Sequence, residues 1–171
     1  PALSAIAVSA LALGNGGGRV LYGLLSDRIG RNNTLKIAFV WQAVLISALY
    51  FMGDNSVLAS APVLMVFVAC IGANYGANLA VFPAMTKDYF GSGNFAMNYG
   101  IVYTAWGLGG FMVSQLASSI KDTYGSYAYA YLLAAGMLLI SAGLMFFLKS
   151  PQTRAVSPGV LTAESVQVAA D

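Results

Sequence analysis

Apolar residues gather in five long runs, at about 2–25, 35–52, 61–85, 95–119 and 128–148. A helix that crosses the hydrocarbon of a bilayer needs about 20 largely apolar residues. Each run therefore predicts one membrane-spanning helix. The breaks between them, at 26–34, 53–60, 86–94 and 120–127, are short and polar. From Ser150 onward the chain is small, polar and interrupted by Pro151 and Pro158. No apolar run there is long enough to span, so 150–171 is expected to be a disordered tail behind a bundle at 1–149.

Composition supports the same class. The chain is 58% hydrophobic and only 8% charged, against about 25% charged in soluble domains. So few charges cannot cover a water-facing body, which makes this an all-α, polytopic membrane protein surrounded by lipid. The chain has no histidine and one cysteine, Cys70. An internal disulfide is impossible, and a metal cluster is not expected. No cofactor and no nucleic-acid partner are expected either. The first residue is Pro1, with a hydrophobic run at once behind it and no charged leader. This reads as a fragment or trimmed piece without its N-terminal part, and the run is not a signal peptide.

Charge distribution sets an expected orientation. Arg28, Arg31 and Lys36 lie at the first break, Lys87 at the third, and Lys149 and Arg154 after the last run; the opposite side has only Lys121. Basic residues favour the cytoplasmic side. The 26–34 loop and the C-terminus are thus expected in the cytoplasm, with the chain in a plasma membrane of the bacterial inner-membrane type.

The first break holds the most specific motif, Gly23-Leu-Leu-Ser-Asp27-Arg28-Ile-Gly30-Arg31. It resembles the signature loop G-x-x-x-D-R-x-G-R of the major facilitator superfamily. That resemblance implies the second-to-third helix connection of one six-helix half. Four more spans follow here, so the five correspond to helices 8–12 of a twelve-helix fold, part of its C-terminal half. The N-terminal half and helix 7 would be partners from the same protein. It further implies a conformational-switch role for Gly23, Asp27, Arg28, Gly30 and Arg31. Gly23 would let a helix approach closely, Gly30 would permit a tight turn, and Asp27 would meet the start of the helix at Phe95.

Arg19 is the anomaly. It lies eight residues before Asp27, or about 12 Å deeper at about 1.5 Å per residue. That is near the middle of a core about 30 Å thick. A cation there costs at least about 2.5–3.5 kcal/mol, and arginine does not escape by losing its proton. No Asp or Glu falls within any of the five runs. The counter-charge is therefore either an anionic substrate, with a carboxylate suited to the planar fork, or an acid from a helix outside this chain. The nearby glycines 14, 16, 17 and 18 resemble a nucleotide loop only superficially, because they lie within a helix and follow no strand. They are expected to let helices approach or bend, and to keep space open around Arg19.

Other polar and aromatic residues fall at helical spacing. Asn74 and Asn78 are one turn apart, and Gly72 and Gly76 have small-residue spacing. Tyr75 and Phe82 share another face, and Tyr99, Tyr103, Trp106 and Gly110 lie along one face of the fourth span. Tyr75, Asn78, Tyr103 and Trp106 are candidates to line a substrate path; helix packing is the alternative for each. Few such residues mark the second and fifth spans, which are expected to be peripheral and lipid-facing.

Two further stretches are Phe82-Pro83-Ala84-Met85-Thr86-Lys87-Asp88-Tyr89-Phe90-Gly91 and Asn98-Tyr99-Gly100-Ile101-Val102-Tyr103-Thr104-Ala105-Trp106-Gly107. Together they resemble the oxalate/formate antiporter family. The resemblance implies substrate contact by Arg19 and an aromatic neighbour at Tyr75. It also implies a second cation, a lysine, where this chain has Trp106. No lysine occurs anywhere in 95–119. One fixed cation suits a monoanion such as formate, lactate or pyruvate better than a dianion such as oxalate. The expected function is secondary transport of a small carboxylate by alternating access, as antiport or proton symport. The competing readings are an oxalate/formate exchanger proper and a non-transporting sensor with the same fold. An enzyme is not expected, since no nucleophile, base or metal set is visible.

Overall fold

The computed structural model describes residues 2–51 and 60–148, and these form five helices: α1 (Ala2–Ile29), α2 (Arg31–Phe51), α3 (Ala61–Phe90), α4 (Phe95–Tyr124) and α5 (Ala128–Phe147). The all-helical reading holds. The expected tail at 150–171, most of the second break, and the charges Lys149 and Arg154 lie outside the described residues.

The breaks are narrower than the polarity pattern implied. The helices run straight through much of 26–34, 86–94 and 120–127. Polar residues leave a bilayer without leaving a helix, so the turns fall where the backbone itself must reverse. Each such point is a glycine with positive φ: Gly30 at 88°, Gly91 at 76° and Gly125 at 69°. That conformation is nearly free for glycine and costly for other residues. The Gly91 and Gly125 amides close their helices by donating to the carbonyls of Lys87 and Lys121, each at 2.8 Å.

By length and apolarity alone, α2, α3 and α5 are the described helices that can cross a membrane. The glycine run, Asn15 and Arg19 dilute α1, and a polar end dilutes α4. Many large apolar side chains point outward along all five helices, among them Leu13, Val66, Phe111 and Phe147. That surface suits lipid better than water.

Packing is uneven. α1 lies along α3, and α2 packs chiefly on α5 while touching α3 and α1. α4 leans only lightly on α3 and α5 and buries none of its residues. The second span, expected to be peripheral, packs inward on one face and exposes an apolar face on the other. α2 contributes buried Leu35, Ala38, Ala43 and Leu45, while its stripe Ile37, Val40, Trp41 and Val44, with Phe51 at its end, faces out. A central cluster of Leu35, Val81, Met85 and Met145 joins α2, α3 and α5, with Tyr22 of α1 packed against it.

The α1–α3 contact is built on glycine. A Cβ at Gly14 would strike the Ala69 carbonyl oxygen, and one at Gly18 the Ala73 carbonyl oxygen. From the other side, a Cβ at Gly72 would strike the Leu11 carbonyl oxygen and one at Gly76 that of Asn15. These obstacles are backbone and cannot rotate away. By contrast Gly16, Gly17 and Gly23 have nothing near them among the described residues. The close approach expected at Gly23 is therefore absent there.

Gly18→Ala and Gly76→Ala are each expected to lower the thermal midpoint of the full-length protein in detergent. Gly136→Ala, which meets open space, is expected to leave it level or raise it, since alanine gains about 0.5–1 kcal/mol over glycine inside a helix. Thermal unfolding of the three variants checks this.

Candidate functional site

Two places collect the chemistry: a polar junction where α1 meets α2, and a half-open, aromatic-lined cavity between α3 and α4.

At the junction Gly30 turns the chain so that Arg31 folds back over the end of α1. Its Nη1 donates to Ser26 Oγ and to Asp27 Oδ1, and its Nε donates to Asp88 Oδ2 on α3 at 3.2 Å. One guanidinium thus ties together α1, α2 and α3. Asp27 does not reach the start of α4, as the motif had implied; α1 and α4 make no contact among the described residues. The reason is local. Arg31, four residues on, captures the carboxylate, and the tie closes on Asp88 at the end of α3. Arg28 has no partner among the described residues. The junction brings Asp27, Gly30 and Arg31 together; Gly23 joins it through its carbonyl, which accepts from Ser26 Oγ at 2.8 Å, and Arg28 stands aside.

Asn32 is a residue that the pattern missed. It is only 7% exposed. Its amide nitrogen donates to the Leu148 carbonyl at 2.8 Å and to Tyr89 Oη at 3.1 Å, and its Oδ1 sits 3.2 Å from the same hydroxyl. It joins the ends of α2, α3 and α5. Its only sequence signal is its place directly after Arg31. Nearby, Lys36 Nζ sits 4.3 Å from the Phe146 ring centre, which adds a cation–π contact between α2 and α5.

Deeper in, Tyr22 Oη donates to Asn74 Oδ1 at 2.6 Å, a cross-link from α1 to α3 that the sequence did not reveal. Asn78 donates to the Asn74 carbonyl at 3.0 Å. The Asn74 Nδ2 and Asn78 Oδ1 atoms are buried without a hydrogen-bond partner among the described residues.

Asn78 borders a cavity of about 340 Å³. Its walls include Phe39, Tyr75, Phe82, Tyr103 and Trp106. Rings run in sequence along α4 and across to α3. Phe95 stacks on Tyr99 at 5.6 Å, Tyr99 meets Tyr103 at 5.6 Å and Tyr103 meets Trp106 at 5.1 Å in tilted pairs, and Trp106 meets Tyr75 at 6.4 Å. Four predicted residues, Tyr75, Asn78, Tyr103 and Trp106, therefore share one wall.

Arg19 is not in that wall. It is exposed on α1, and its Nε donates to Asn15 Oδ1 at 3.1 Å. No carboxylate pairs with it among the described residues. Its depth matches Tyr75, because a Cβ on Gly76 would lie 3.0 Å from the Arg19 amide nitrogen. Its direction matches as well. α1 and α3 run parallel, with Gly18 and Gly76 in the seam between them. Successive helical residues turn by about 100°. Arg19, one residue after Gly18, and Tyr75, one residue before Gly76, therefore emerge on the same side of the seam.

The family profile described as Major Facilitator Superfamily matches residues 1–167. Among curated relatives, the uncharacterized MFS-type transporter YhjX of Escherichia coli is 36% identical over 62% of this chain. The oxalate:formate antiporter of Oxalobacter formigenes is 30% identical over 83%, and monocarboxylate transporter 12 of Rattus norvegicus is 26% identical over 77%. The matched stretches span 25%, 33% and 27% of those three proteins.

The junction's energy rests more on Asn32 than on its ion pairs. Asp27 and Asp88 side chains are 63% and 45% exposed, and such pairs contribute about 1 kcal/mol or less. Removing a buried amide strands its partners at about 1–3 kcal/mol. Asn32→Ala is thus expected to destabilise the full-length protein more than Asp88→Asn, although only the latter breaks an ion pair. Chemical unfolding of both variants checks the order.

Proposed function

The chain belongs to the major facilitator superfamily, and on that premise we propose that the protein containing it is a secondary carrier of small organic anions, with a monocarboxylate as substrate. The observation that carries this reading is Arg19. A permanent cation, set within an apolar helix and lacking a carboxylate partner among the described residues, needs a mobile anion or an acid from elsewhere. A substrate carboxylate would accept two N–H bonds from the guanidinium fork. Tyr75, Asn78, Tyr103 and Trp106 would form the wall beside it. Asp27 and Arg31, with Gly30 as the turn between them, would act as a latch that holds helix ends in one state and releases them in another. Gly23 would belong to it through its carbonyl, which accepts from the Ser26 hydroxyl under Arg31, and Arg28 by resemblance only.

Transport would follow alternating access between two halves with the site near the midplane, as antiport or proton symport. Most of such a path lies beyond the stretch covered here. The protein is integral to a membrane. Its junction end carries Arg28, Arg31, Lys36 and Lys87, and we assign that end to the cytoplasm by the positive-inside rule, in a plasma membrane of the bacterial inner type.

An oxalate/formate exchanger is the second reading, favoured by the similarity to the Oxalobacter protein. The absence of any lysine in 95–119 argues against it. A dianion would face one fixed cation here, whereas the family resemblance implies two. A sensor that kept the fold without transport is a weaker alternative, since Asp27, Gly30 and Arg31 of the signature loop still assemble.

The test is exchange of labelled formate, lactate and oxalate by the full-length protein in proteoliposomes, with Arg19 intact and with Arg19→Gln. Saturable monocarboxylate exchange is expected to fall at least tenfold in the variant, equivalent to about 1.4 kcal/mol. Oxalate strongly preferred over every monocarboxylate would overturn the monoanion reading. Unchanged exchange would make Arg19 structural.

A further inference from the structure

The geometry points to a substrate larger than formate or oxalate: a monocarboxylate with a planar, apolar body, its carboxylate on Arg19 and its body in the aromatic cavity. This inference rests on the carrier reading above and narrows its substrate class.

Three observations carry it. The first is the cavity's size and chemistry. At about 340 Å³ it falls in the range of pockets that hold drug-sized ligands, which begin at about 300 Å³. A formate ion would leave most of it empty. Apart from Asn78, the tyrosine hydroxyls and the Trp106 indole N–H, the lining is hydrocarbon and aromatic ring, with no charged group among the described residues. Such a wall gains little from a small, strongly hydrated anion. It gains much from a flat apolar body that displaces water and offers a second π-face.

The second is the arrangement of the rings. Tyr75 and Trp106 come from different helices, with centroids 6.4 Å apart and planes tilted by 53°. Tyr103 and Trp106 are 5.1 Å apart, tilted by 32°. These rings present faces and edges at several angles around one space. A flat ring could meet them in offset or edge-to-face contacts.

The third is the relation to charge. Arg19 and Tyr75 lie at one depth and on one side of the α1–α3 seam, as their register across Gly18 and Gly76 requires. The Arg19 Nε is held by Asn15. Its two terminal amino groups have no hydrogen-bond acceptor among the described residues, so the outer fork is free for a carboxylate. A carboxylate there leaves the rest of the molecule to run past Tyr75 into the ring-lined space. One end of the site is cationic and the other apolar, which matches an amphipathic monoanion.

The experiment is a set of dissociation constants, measured by calorimetry on the full-length protein in detergent. The ligands are formate, propionate, phenylacetate and the neutral phenylacetamide. Phenylacetate is expected to bind at least tenfold more tightly than propionate, and at least tenfold more tightly than phenylacetamide. Trp106→Ala and, independently, Tyr75→Leu are expected to shrink the phenylacetate-to-propionate ratio severalfold. If formate or propionate binds as well as phenylacetate, the carrier reading stands and this inference fails. The inference also fails if the phenyl preference survives both variants, because the body then lies elsewhere. Binding of none of the carboxylates would sink the carrier reading itself.

Discussion

The rest of the structure depends on the backbone contact between α1 and α3. In lipid, two helices gain nothing from hiding apolar surface from each other, so association rests on close van der Waals packing and a few polar bonds. Gly14 and Gly18 on one helix and Gly72 and Gly76 on the other remove the side chains that would hold the backbones apart. The contact does more than stabilise. It fixes rotation and register, and with them where Arg19 and Tyr75 emerge. The Tyr22–Asn74 hydrogen bond then locks that register with a polar bond in a low-dielectric setting. A site made of a cation on one helix and rings on two others exists only if that seam is held closely.

The junction end follows a different physics. Its most visible interactions are the ion pairs of Arg31, yet these are largely open to solvent and individually weak. The buried Asn32, bonded to Tyr89 and to the last carbonyl of the described α5 segment, does more to hold the helix ends. Such a division suits a latch. The exposed pairs can open at little cost while the amide keeps α2, α3 and α5 aligned. Arg31 and Asn32 are adjacent, so one turn of helix serves both the part that would move and the part that stays.

Much of this was legible in the sequence, for physical reasons. Spans of about 20 apolar residues have few alternatives to a helix, and the five runs became five helices. Gly30 predicts a turn and makes one. Gly72 and Gly76 have small-residue spacing, and they are half of the seam. What was illegible depends on partners far apart in the chain. Polarity at 26–34 and 86–94 suggested loops, but polar residues continue a helix readily once outside the bilayer core. The motif points Asp27 toward the start of α4, whereas a nearer cation, Arg31, takes it. Nothing in α2 advertised which of its faces packs inward, because an alanine- and leucine-rich helix reads alike whether it faces lipid or protein. The shared wall of Tyr75, Asn78, Tyr103 and Trp106 could be suspected from spacing on each helix. Phe39 could not, since only the crossing of α2 brings it there. Tyr22 and Asn32 carried no pattern at all.

The central claim is that Arg19 holds a substrate carboxylate on the Tyr75 side of the α1–α3 seam. The most direct test is an experimental structure of the full-length protein with a monocarboxylate bound. The account predicts density for two carboxylate oxygens on the Arg19 terminal nitrogens, beside Tyr75. An aspartate or glutamate from another part of the protein occupying that fork, with no space left for a ligand, would contradict it.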